Sequence, residues 1–184
     1  MIIIASIPNT KHHNLKIFLT ILFMICFQGI AMAQADEQEA DLKAAFIYNF
    51  THYIDWDPAV EEYEFVIGVI GPSSVVNSLN QIAKNNFVKN KRILIHVFNK
   101  PEEINHCDIL FISQNCPFPL QAILNKTDRG MLTISEQAGY AKEGTAFNFV
   151  LINDKLKFEA NLKAINSTGL KAGSQLLKLA IIVD

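Results

Sequence analysis

His106, Cys107 and Asp108 stand side by side in the chain, and these residue types together could bind a metal ion or activate a thiol nucleophile. The spacing supports neither chemistry. Adjacent side chains on a strand point to opposite faces, so three consecutive residues do not converge on one ion. Beyond residue 33 the other histidines are His52 and His96, and no pair has H-x-x-x-H or H-E-x-x-H spacing. A nucleophilic Cys107 would need a neighbouring base and a depressed pKa, and the sequence displays neither. Gly71-Pro72-Ser73-Ser74 could present helix N-terminal amides to an anion, but ordinary capping is the simpler reading. No G-x-S-x-G elbow, G-x-G-x-x-G turn or Walker loop occurs. The expectation is a protein that is not an enzyme, with no catalytic residues, no metal site and no cofactor.

The N-terminal 33 residues point to export. Residues 1–33 contain no Asp or Glu, carry Lys11 and Lys16, run apolar from Ile17 to Phe27 and finish Ala31-Met32-Ala33. This is the pattern of a secretory signal peptide cleaved after Ala33. The apolar run is shorter than the ~20 residues of a spanning helix and is broken at Gln28-Gly29. Ile25 before Cys26 is too large for a lipid-attachment site. Residues 34–184 are expected to form one periplasmic domain without membrane insertion. Removing Lys11 and Lys16 leaves 14 basic against 18 acidic residues, a net charge of −4, with no basic cluster to neutralise phosphates. Nucleic acid is excluded as a partner on that ground.

The rest of the chain alternates strand and helix patterns. Leu42, Ala45, Phe46, Asn49, Phe50 and Tyr53 follow helical spacing and predict a helix over about 36–54, stopped before Pro58. Residues 65–70, 91–98, 108–113 and 131–134 read as strands; residues from 75 onward and around 119–125 read as helices between them, with one helical turn at Pro101. That order implies an α/β three-layer sandwich with a mostly parallel central sheet and helices on both faces. Residues 146–152 and 155–160 flank Asn153-Asp154 and predict a β-hairpin adding antiparallel edge strands. Its Lys155, Lys157 and Glu159 lie on one face, with Leu156 and Phe158 on the other. Two helices, over 161–167 and 172–180, are expected to close the chain.

Binding is therefore the expected activity. The hairpin offers Phe147, Phe149, Lys155, Lys157 and Glu159 to another chain, the alternative being that the phenylalanines are core and the lysines solvate an edge. The first helix offers Tyr48, Tyr53 and Trp56 as amphipathic aromatics, the alternative being packing against the sheet. Cys107 and Cys116 are the redox candidates. A strand over 108–113 carries the chain roughly 20 Å, of which three further residues recover only about 10 Å. The two cysteines are thus expected beyond the ~7 Å reach of a disulfide, unpaired or bridged between molecules.

Four blocks now form a pattern in order: Lys43-Ala44-Ala45-Phe46-Ile47-Tyr48-Asn49-Phe50 with Tyr53 and Trp56; Cys107 to Ser113; Asn148-Phe149 to Phe158-Glu159-Ala160-Asn161-Leu162; and Gly169-Leu170-Lys171 with Ser174 to Ala180. Together they resemble the YfiR family. The resemblance implies a periplasmic, non-catalytic α/β regulator that tends to dimerise and restrains a membrane-bound diguanylate cyclase through its periplasmic sensor domain, thereby controlling cyclic di-GMP and biofilm. Short members of this kind would serve another membrane receptor, such as a histidine kinase. The rival expectation is a free-standing sensor that binds a small ligand at the carboxyl ends of the parallel strands. One departure stands out. One of the disulfides that the resemblance implies would join the cysteine matched by Cys107 to one in an earlier strand, where this chain has Val66-Ile67-Gly68-Val69 and no cysteine.

Overall fold

The computed structural model describes residues 36–56 and 64–183, and its larger compact unit is Glu39–Asp184. Of the smaller unit, Met1–Gln38, only residues 36–38 are described, and they are helical. The expected signal peptide, residues 1–33, lies outside the described residues.

Helix α1 covers residues 36–50. It is followed by β1 (Ile54–Asp55), β2 (Glu64–Ile70), α2 (Val75–Asn85), β3 (Phe87–Val88), β4 (Lys91–Phe98), a 3-10 turn at Pro101–Glu103, β5 (Ile109–Ile112) and α3 (Leu120–Leu124). The second half comprises β6 (Leu132–Ser135), α4 (Tyr140–Glu143), β7 (Phe147–Ile152), β8 (Lys155–Asn161), α5 (Leu162–Ser167), β9 (Lys171–Ala172), α6 (Ser174–Leu177) and β10 (Ile181–Val183). Eight strands form one sheet in the order β10-β8-β7-β6-β5-β2-β4-β3. Strands β4, β2, β5, β6 and β7 run parallel, β8 turns back antiparallel to β7, and β10 lies parallel to β8. The mixed α/β class and the mostly parallel sheet agree with the sequence expectation.

The pleat divides the core in two. Ile67, Val69, Ile109, Phe111, Leu132, Ile134, Phe147, Phe149 and Phe158 face one side, where Ala44, Ile47 and Phe50 of α1 and Leu79 of α2 pack on them. Ile70, Leu110 and Ile112 face the other, under Leu120 and Ile123 of α3, with Phe98, Ile104 and Cys107. Phe50 is the hub of the first layer: its ring centroid lies 4.8 Å from Phe147 and 4.9 Å from Phe158.

Three expectations are corrected. Helix α1 ends at residue 50 rather than 54, because Thr51 Oγ1 donates to the Tyr48 carbonyl at 2.6 Å and Ile54 then pairs with Ala172 of β9. Its buried stripe is Ala40, Ala44, Ile47 and Phe50, while Leu42 and Tyr53 are exposed. The small alanines let the helix approach the sheet, so the true face is rotated by about one residue, ~100°, from the aromatic spacing. At the C-terminus the expected 172–180 helix shrinks to one turn, α6, and the chain continues as β10. The hairpin is consequently not wholly at the sheet edge: β10 covers Glu159–Asn161 of β8.

Candidate functional site

The hairpin is held by its turn and by a buried polar chain. Asn153 and Asp154 take positive φ values of 51° and 58°, the left-handed pair that a two-residue turn between twisted strands requires. Below it, Ser135 Oγ donates to Asn148 Oδ1 at 2.6 Å, and Asn148 Nδ2 donates to Glu159 Oε2 at 3.2 Å. The network ties β7 and β8 to β6 and engages the Glu159 carboxylate. Lys155 and Lys157 remain exposed on the outer run of β8 that β10 leaves uncovered. Phe147 and Phe149, by contrast, are 0% and 3% exposed and belong to the core, so they present no surface to another chain. Their alternation with Asn148 along a sheet covered on both faces is what buries them.

The helix-1 aromatics are placed apart from the hairpin. The Tyr48 ring meets His52 edge-on at 5.0 Å and its hydroxyl lies 3.4 Å from the Phe87 carbonyl, at the β3 end of the sheet. Trp56 packs edge-on against Phe65 at 5.2 Å, and its indole Nε1 has no acceptor among the described residues. Tyr53 is 42% exposed. The sequence candidates thus form two separate surfaces, one at the hairpin and one around the end of α1.

Cys107 and Cys116, the cysteines among the described residues, are both free thiols. Cys107 is fully buried, and burial, reinforced by the Asp108 and Asp128 charges and only partly opposed by a hydrogen bond with the Gly68 backbone, pushes its pKa up to about 12. Cys116, just past β5, is half-buried and also raised, chiefly by burial. Neither microenvironment generates a thiolate near neutral pH. Gly68 closes against Cys107: a Cβ there would fall 3.1 Å from Sγ and 2.6 Å from Phe98 Cε2. Asp108 is spent on architecture, its Oδ2 accepting from the Val66 amide at 2.7 Å. Among the described residues no group of three or more His, Cys, Asp and Glu side chains could hold a metal ion.

A cleft that the motif-based reading did not resolve lies at the carboxyl ends of β5 and β6. It measures about 300 Å³ and is lined by Glu39, Lys43, Gln114, Glu136, Ala138, Phe149, Val150, Leu151 and Leu156. Lys43 Nζ bonds Glu39 Oε1 at 2.6 Å and Glu136 Oε2 at closer range, and the Gln114 amide donates to Glu136 Oε1 at 2.9 Å. Burial alone would lower the Lys43 pKa, but the contacts with Glu136 and Glu39 outweigh it and raise it, so the ammonium stays charged. Lys43 and Glu136 come from sequence segments 93 residues apart, and only the general rule that open α/β sheets bind at strand carboxyl ends points to them.

No helix among the described residues is long and apolar enough to cross a membrane. Among curated proteins, none matches the sequence significantly. The YfiR/HmsC-like family matches it over residues 40–181, most of the chain and nearly all of the larger unit. A mostly parallel sheet ending in a returning hairpin agrees with that match: the chain belongs to the YfiR/HmsC-like family.

Proposed function

We propose that this protein is a non-catalytic periplasmic regulator that binds the sensor domain of an inner-membrane signalling protein, a diguanylate cyclase or a histidine kinase, and restrains its output. The observation that carries this reading is family membership over residues 40–181. The export-type N-terminus and the net charge of −4 beyond it are consistent with a periplasmic protein that meets a receptor rather than a nucleic acid. The contact surface is assigned to the exposed hairpin residues Lys155 and Lys157, with the exposed Tyr53 end of α1 as the second surface. Strands β3 and β10 cover only part of β4 and β8, and the uncovered stretches permit a homodimer. The test is binding of the purified protein to sensor ectodomains from its own genome, compared with a Lys155→Glu/Lys157→Glu variant.

The cleft favours a second reading, a small-ligand sensor. Its position at the strand carboxyl ends is where α/β sheets commonly bind small molecules. The two readings are compatible, since Leu151 and Leu156 of the cleft lie on the hairpin strands that carry Lys155 and Lys157, while the Tyr53 surface lies at the other end of α1.

A further inference from the structure

The charge and lining of the cleft define a ligand class, an inference that rests on the ligand-sensor reading above. We infer that the cleft binds a small organic cation, a primary amine joined to a compact apolar body.

Three charged side chains line it, Glu39, Lys43 and Glu136, and together they carry one net negative charge. The Lys43 ammonium is already committed to both carboxylates, so an anionic ligand would have to displace a carboxylate from it and enter a negative field. Glu136 is likewise committed, to Lys43 and to the Gln114 amide, and its side chain is 9% exposed. Glu39 differs. Its side chain is 37% exposed and one oxygen, Oε1, holds Lys43, which leaves Oε2 as an acceptor for a charged donor. Apolar side chains supply much of the remaining lining: Phe149 is buried, Leu156 is half-buried and Leu151 is 60% exposed. An exposed leucine beside a solvated carboxylate is the arrangement that an amphipathic cation covers, head on Glu39 and body on Leu151 and Leu156. The volume, about 300 Å³, lies at the small end for ligand sites and suits a single ring or short chain.

Three probes of similar shape separate the possibilities: phenethylamine, 2-phenylethanol and 3-phenylpropionate, titrated into the isotope-labelled protein while the backbone amides are followed by NMR. The expected result is that phenethylamine shifts the amides of Gln114, Glu136 and Leu151. Glu39→Gln should weaken it about tenfold, the equivalent of one charged hydrogen bond, while the protein stays folded because Lys43 keeps Glu136, and Leu151→Ser should weaken it several-fold. The alcohol and the carboxylate should bind at least about tenfold more weakly. If either binds the same amides as tightly as the amine, the cationic assignment is overturned and the ligand-sensor reading stands. If no probe perturbs these amides, or the amine perturbs only others, both fall.

Discussion

Lys43 of helix α1 is ion-paired with Glu136 at the carboxyl end of β6, a contact that joins the first helix of the domain to the middle of its sheet across 93 positions of sequence. Both side chains are about nine-tenths buried. Removing one partner leaves a carboxylate or ammonium buried without its counterion. Lys43→Met should therefore cost about 3 kcal/mol, at the lower end for buried pairs because Glu39 is partly solvated. Lys43→Met combined with Glu136→Leu should recover much of that loss. Urea unfolding of the single and double variants checks both values.

The aromatic hub and the hairpin lysines should respond in opposite ways. Phe147→Ala removes a ring packed on Phe50 and Phe158 and should cost about 3–5 kcal/mol. Lys155→Glu with Lys157→Glu should leave stability within about 0.5 kcal/mol, because both side chains are solvated. Thermal melts separate core from surface here without any knowledge of the partner.

Gly68→Ala should destabilise the domain by about 1–3 kcal/mol. The added methyl meets Phe98 Cε2 at 2.6 Å and Cys107 Sγ at 3.1 Å inside the second core layer, where the sheet cannot recede. Gly68→Ala with Cys107→Ala should restore part of the loss. Chemical denaturation of both variants tests this.

Cys107 gives the stability a pH dependence of known sign. Below pH 9 the folded and unfolded chains both hold its proton, so the contribution is full and constant; between about 9 and 12 only the unfolded chain releases it, and stability falls. The fall should reach about 1.4 kcal/mol by pH 10 and be absent from Cys107→Ala. Urea melts of the two proteins at pH 8 and pH 10 give the difference. The same burial should protect Cys107 from thiol reagents until the protein unfolds, while Cys116 reacts in the folded state.

Strands were the most legible part of the chain. The run Lys91–Phe98 was bounded correctly and the hairpin nearly so, because an alternating β-branched and apolar run and a turn at Asn153-Asp154 each leave a local signature. The face of α1 was misread because aromatic spacing outweighed Ala40 and Ala44, whose role is to be small where the helix approaches the sheet. Strand β10 was missed because three residues carry no periodicity, and their assignment depends on pairing with β8. Among the candidate sites, Phe147 and Phe149 alternate correctly, yet alternation alone cannot say that both faces of a sheet are covered. The Lys43–Glu136 cleft was invisible for a different reason: it exists only when α1 and the ends of β5 and β6 meet.

We propose that the protein acts by binding a membrane sensor. The most direct test is to measure its affinity for each periplasmic sensor ectodomain encoded in its own genome, using residues 34–184 and the Lys155→Glu/Lys157→Glu variant. One ectodomain should bind, and the charge reversal should weaken that binding at least about tenfold, the loss of one or two interfacial charge contacts. Absence of binding to every ectodomain would contradict the account.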